Sequence, residues 1–261
     1  MIPKIHFSHW CHALAFLLMA YLTLPLLAMI AFSFSAEIVA IPTNFTFEWY
    51  TIQLHQVLYS VQVSFMIAVP AILLGFAVSL PLAYALARRR FFGRAILDQL
   101  TLLPVLIPGT VLGLALLEFF NTGVFSRVPP LGVLILAHTL IVVPVIARPL
   151  IAALGQIDQR MEEAAQSLGA GPLRTFRDIT FPLISSATLV GLILGLARSL
   201  TDFTMTLFLV GPNYVPLSIY IYNSTHFSIP QITSAQSVIL LALSLVVIFV
   251  AERFTRTDYV V

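Results

Sequence analysis

Arg198 and Asp202 stand four residues apart in an otherwise apolar stretch of this 261-residue chain. Ionised groups are expensive in hydrocarbon, so within such a stretch they pair, or face a bundle interior or a pore. Four residues apart on a helix they meet on one face, in the less favourable order of arginine before aspartate. Two roles follow: a site on a translocation path, or a structural pair or subunit contact. The second is the simpler.

His6, His9, Cys11 and His12 form the one other concentration of ligand-type side chains. A zinc site needs fixed geometry, usually with ligands from two segments. These four fall in one short segment, so a neutral interfacial stretch is expected and no metal. Glu37 and Glu118 are read as solvated. The chain contains no G-x-x-x-x-G-K-[ST] phosphate-binding loop, so if its work uses ATP, another chain hydrolyses it. No catalytic residues are expected.

The elements that must position these groups are membrane spans. Hydrophobic residues make up 59% of the chain and charged ones 9%, against roughly a quarter charged in a soluble domain. A soluble fold of this size could not cover its surface with so few charges. Stretches near twenty apolar residues are long enough to cross the hydrocarbon as helices. Six are found, at about 13–35, 60–87, 97–119, 130–153, 181–201 and 235–251. The first is too long for a signal-peptide core and has no small-x-small cleavage site after it, so it is read as retained. The fifth either runs on through Phe203–Val210 or breaks near Asp202. Pro104, Pro108, Pro144 and Pro149 lie in the third and fourth spans; each can kink a helix, and packing is their simpler role.

Basic residues set the orientation. Arg88, Arg89, Arg90 and Arg94 separate spans two and three. Arg160, Arg174 and Arg177 separate spans four and five, with Arg148 near the edge of span four. Arg253 and Arg256 follow span six, and Lys4 precedes span one. With six spans all of these fall on one side and only Arg127 on the other, which puts both termini in the cytoplasm. The outer segments, 36–59, 120–129 and about 203–234, carry interface-type aromatics such as Phe45, Phe47, Trp49 and Tyr50. The third holds an amphipathic stretch, Leu217–Tyr222. The whole chain, 1–261, is read as one transmembrane domain.

The cytoplasmic loop at 155–180 is the most informative segment. Asp158 is placed to cap a helix, with Glu162 and Glu163 close behind it. Gly169 supplies a left-handed C-terminal residue and Pro172 prevents continuation. Ile157, Met161, Ala164 and Leu168 make one apolar stripe. That stripe is too short to span and needs a partner surface, either the chain's own bundle or another protein. Small Ala164 and Ala165 would allow close approach.

Glu163-Ala164-Ala165, three residues, Gly169, nine residues, Ile179, two residues and Pro182 resembles the EAA loop of ABC importer permeases. Phe181 departs from it, standing where that family usually has leucine. Arg88-Arg89-Arg90-Phe91-Phe92-Gly93-Arg94, Pro104, Pro108-Gly109 and the outer Leu217-Ser218-Ile219-Tyr220 are similar to the spermidine/putrescine branch.

The resemblance implies an all-α integral membrane protein of the type I ABC importer permease fold, with six transmembrane helices. It implies partners: an ABC ATPase dimer using ATP and magnesium, a second permease subunit, an extracytoplasmic solute-binding protein and membrane lipid, with no nucleic acid and no cofactor on this chain. It assigns ATPase coupling to Met161, Glu162, Glu163, Ala164, Ala165, Leu168 and Gly169, and leaves Arg198 and Asp202 as translocation-path candidates. The cargo it implies is a small polar organic solute, polyamine-like or related. The alternative is an ion-gradient-driven secondary transporter or channel, which would carry more membrane-buried acids and often visible repeats.

Overall fold

The computed structural model describes residues 4–37 and 44–255. Of the residues singled out above, Arg256 lies outside them, and so do the side chains of Lys4, His6 and His9. The principal helices among these residues are α1 Lys4–Ser33, α2 Leu54–Arg88, α3 Arg94–Leu106, α4 Gly109–Asn121, α5 Pro130–Gln156, α6 Gln159–Ser167, α7 Pro172–Leu183, α8 Ser185–Leu200, α9 Leu217–Phe227 and α10 Pro230–Thr255. Among the described residues, β pairing is limited to one isolated bridge, Ser35 to Phe45. Among the described residues, four helices are individually long and apolar enough to cross a membrane: Leu14–Ser33 of α1, α2, α5 and Pro230–Val250 of α10. The pairs α3–α4 and α7–α8 each pass the same test only as a bent unit, at 102° and 70°, giving up to six spans.

The 102° bend departs from the single third span read at 97–119. Pro108 has no amide hydrogen and disfavours helical backbone at the residue before it. Ile107 accordingly takes ψ 132° and Pro108 ψ 133°, and the helix restarts at Gly109. Each half has 13 residues, about 20 Å of rise, and neither alone covers a hydrocarbon core of about 30 Å. Pro144 and Pro149 lie within an unbroken α5. The fifth span breaks rather than running on: α8 ends at Leu200, and a separate turn forms at Thr206–Leu209.

The chain divides into two compact units. One holds residues 1–57 and 221–241. In it α1 is apolar around its whole circumference and is exposed along Leu14–Leu27, as suits a lipid-facing helix. The segment after it is closed by aromatic contacts of Phe34 with Phe47 and Tyr50, both at 5.2 Å. Trp49 Nε1 donates to the Ser35 carbonyl at 2.7 Å. The other unit holds residues 58–220 and 242–261. Its core is built from Ile67, Leu134, Ile141, Ile146, Leu150 and Met205, all essentially inaccessible. Here small residues bring helices together, as in other membrane bundles. A Cβ at Gly191 of α8 would lie 3.1 Å from the Ile146 carbonyl oxygen, and one at Gly75 of α2 would lie 2.7 Å from Val142 Cγ2. Ser79 Oγ of α2 donates to the Val143 carbonyl of α5 at 3.0 Å.

Candidate functional site

The loop between α5 and α8 is assembled by local signals and then oriented by distant ones. Asp158 Oδ1 accepts the Arg160 amide at 3.0 Å and caps α6. At the other end Gly169 has φ +89°, a backbone state that a side chain disfavours. Pro172 opens α7, whose middle, Phe176–Thr180, is a π-helical turn; such turns are often found at functional positions.

α6 presents two different faces. On one, Met161 is 47% exposed, Leu168 is 90% exposed and Ala164 is exposed. Together with Ala165 and with Asp178, Ile179, Pro182 and Leu183 of α7 they line an open, mainly apolar groove of about 530 Å³. The spaced residues of the sequence pattern, Ala164, Ala165, Ile179 and Pro182, therefore meet at one surface. Glu163 is exposed beside it. Ile157, the first residue of the expected stripe, is partly buried against the core.

Glu162, grouped on sequence with the groove residues, points the other way. It is 7% exposed, and Oε1 accepts from Arg88 Nη2 and Thr180 Oγ1, both at 3.0 Å. Tyr84 OH donates to Oε2 at 3.4 Å. Arg88 Nη1 also donates to the Ile157 carbonyl at 3.0 Å. Adjacent glutamates cannot share a helix face, and the partner lies 74 residues away. No local pattern announced this arrangement.

A second polar cluster surrounds Asp202. Arg198 Nη1 donates to Asp202 Oδ1 at 2.9 Å, while Oδ2 accepts the Thr206 amide at 3.1 Å and its hydroxyl at 2.9 Å. The Asp202 carboxylate thus holds the start of the turn that follows, Thr206–Leu209. His138, 2% exposed in α5, lies 2.8 Å from Ser199 Oγ and 3.0 Å from Thr206 Oγ1. Ser218 Oγ donates to the Asp202 carbonyl at 2.8 Å. Sequence reading found the ion pair but not His138, which stands alone in an apolar span. Among the described residues, Arg198 is the only ionisable one lining a cavity of about 360 Å³ between the Pro104–Gly109 break, Leu112, Ile141 and Met205. Gly109 and Gly113 of α4 admit the Thr204–Phe208 segment: a Cβ at Gly113 would sit 2.8 Å from the Met205 carbonyl oxygen.

No cluster of three or more metal-type ligands occurs among the described residues. Arg148 and Asp98 form a further ion pair, at 2.9 Å, joining α5 to α3.

Residues 75–257 match the family model described as the binding-protein-dependent transport system inner membrane component. The chain is 28% identical over 245 residues to the spermidine/putrescine transport system permease protein PotC of Escherichia coli K12, covering 91% of this chain and 90% of that protein. It is 29% identical over 213 residues to the molybdenum transport system permease protein ModB of Haemophilus influenzae, covering 76% and 93%. Its fold matches a chain of a bacterial ABC transporter involved in import of the acidic polysaccharide alginate, with a TM-score of 0.73 at 16% identity, covering 100% and 99%.

Proposed function

This chain belongs to the inner membrane components of binding-protein-dependent transport systems, a permease component of an ABC importer and a multi-pass membrane protein, and we propose that its loop helix α6 couples it to a partner ATPase. This family membership sets aside the ion-gradient transporter as an alternative. The observation that supports coupling is the exposed apolar groove, in which Met161, Ala164, Ala165 and Leu168 lie beside Ile179 and Pro182. A short apolar helix face left open is the surface that helix-in-groove recognition uses. Glu163 supplies a polar contact at the rim, and Gly169 sets the exit angle. The ATPase dimer binds ATP and magnesium, and its closure moves the docked helix, passing motion into α5 and α8.

The topology that accompanies this reading has six spans, with α3–α4 and α7–α8 each counted as one and both termini cytoplasmic. A second permease, related but not identical, completes the translocation path, and an extracytoplasmic binding protein delivers the cargo. A polyamine-like solute is the first candidate, supported by the similarity to PotC. An oxyanion is the second, favoured by Arg198 being the only ionisable residue among the described ones on its cavity. Arg198 and Asp202 are assigned to the wall of the path, with Asp202 holding Arg198 in place.

The test is Ala164→Trp in the assembled system. Retention of the ATPase during purification and uptake of radiolabelled spermidine and molybdate are measured together. Loss of both binding and uptake in a normally inserted protein is expected. Full ATPase retention and full uptake would refute docking at this groove.

A further inference from the structure

Glu162 accepts from three side chains, Tyr84, Arg88 and Thr180, and with the bond from Arg88 to the Ile157 carbonyl these contacts tie together segments far apart in sequence. Arg88 ends α2, Ile157 follows the end of α5, Glu162 belongs to α6 and Thr180 belongs to α7. One guanidinium bonds both the Ile157 carbonyl and the Glu162 carboxylate, and the Thr180 hydroxyl bonds that same carboxylate. The Arg88 and Glu162 side chains are only 6% and 9% exposed. A buried, hydrogen-bonded charge pair is costly to separate, because either partner alone would be an uncompensated charge. Such a pair holds its elements at fixed distances where a surface pair would not. The aromatic edge of Phe176 against Tyr84, with centroids 6.0 Å apart, reinforces the same junction.

We propose that the Glu162–Arg88 pair is a positioning element that fixes the loop helix α6 to the cytoplasmic end of α2, so that a pull on α6 moves α2 as well as the flanking α5 and α8. This rests on the coupling role proposed above. Chain continuity already connects α6 to α5 and α7. The charge pair, together with the Tyr84 hydroxyl, adds a link to α2, a helix that the loop does not flank. From there α2 acts on α5 through the Ser79 hydrogen bond and the close contact at Gly75.

The experiment is hydrogen exchange on the complete complex, purified with its ATPase subunits, with and without magnesium and a non-hydrolysed ATP analogue. In the parent, nucleotide should change exchange in residues 159–167 and in residues 80–88 in step. Glu162→Gln keeps the shape and removes the charge. It should leave the loop-helix response intact and reduce the response of 80–88 about tenfold. Thr180→Val, which removes one hydrogen bond from the carboxylate and keeps the pair, should give a smaller loss in the same direction, and Glu162→Asp should recover part of it. An undiminished response of 80–88 in Glu162→Gln overturns the link while leaving coupling at the groove standing. Loss of the ATPase from both Glu162→Gln and Thr180→Val also overturns it, making Glu162 a docking or folding residue. A parent whose loop helix ignores nucleotide overturns the coupling reading itself, and this proposal with it.

Discussion

Asp202 and Arg198 form a one-sided pair: the aspartate side chain is 1% exposed, while the arginine 2.9 Å away is 39% exposed. The carboxylate is held on both oxygens, by Arg198 and by Thr206. The guanidinium keeps a face toward the cavity beside the Pro108 break. One residue anchors, and the other is presented.

That asymmetry predicts a double-mutant cycle. Arg198→Gln leaves a buried carboxylate without its counter-charge and should lower stability by about 3 kcal/mol, the lower end for breaking a buried pair because the arginine is partly exposed. Adding Asp202→Asn removes the orphaned charge and should recover about 1–2 kcal/mol of that loss. Thermal unfolding of the detergent-purified protein measures both. Strictly additive losses would mean the two side chains do not stabilise each other.

Helix packing makes a prediction of opposite sign at two glycines. A Cβ at Gly191 would meet the Ile146 carbonyl oxygen at 3.1 Å and its Cα at 3.2 Å. Those are backbone atoms that cannot rotate away, so Gly191→Ala should cost about 1–3 kcal/mol by forcing α5 and α8 apart. Nothing lies within 4 Å of a Cβ at Gly155. Gly155→Ala should therefore stabilise α5 by up to about 1 kcal/mol through helix propensity alone. Melting temperatures of the two variants should move in opposite directions. A Gly191→Ala variant as stable as the parent would show that the close approach does not limit packing.

Topology can be read with reporter fusions. With six spans, fusions after Arg90 and Gly171 should report a cytoplasmic position, and fusions after Asn44 and Asn223 an external one. The decisive position is Asn223. A cytoplasmic signal there would mean that one of the bent pairs, α3–α4 or α7–α8, turns back without crossing.

How much was legible in the sequence depended on the range of the interactions. α6 was read nearly to its ends because Asp158, Gly169 and Pro172 act within a few residues of where they stand. The Arg198–Asp202 pair was legible for the same reason, being one helical turn. The direction of Glu162 was not, because Arg88 and Thr180 decide it from other helices. His138 was likewise invisible, since its partners Ser199 and Thr206 lie 61 and 68 residues away. Pro108 was visible as a possible kink, but the bend of 102° was not, because the Thr204–Phe208 segment that packs on Gly109 and Gly113 comes from far along the chain.

Gly169 isolates the contribution of the turn from that of the groove. Its φ is +89°, and a Cβ there would meet nothing within 4 Å. A substitution at Gly169 therefore acts through the backbone alone. An L-residue at such a φ costs about 1–2 kcal/mol, and asparagine tolerates the region better than other residues. The turn it forms sets the angle between α6 and α7, which are the two walls of the groove. The expected order of damage is Gly169→Asn, then Gly169→Ala, then Gly169→Val, because the β-branched residue is the most restricted. Gly169→Val should lower ATPase retention and uptake by about tenfold, the equivalent of about 1.4 kcal/mol, with membrane insertion unchanged. The graded series is the check: equal effects of asparagine and valine would remove backbone geometry as the cause, and full activity of Gly169→Val would show that the α6–α7 angle does not matter for docking.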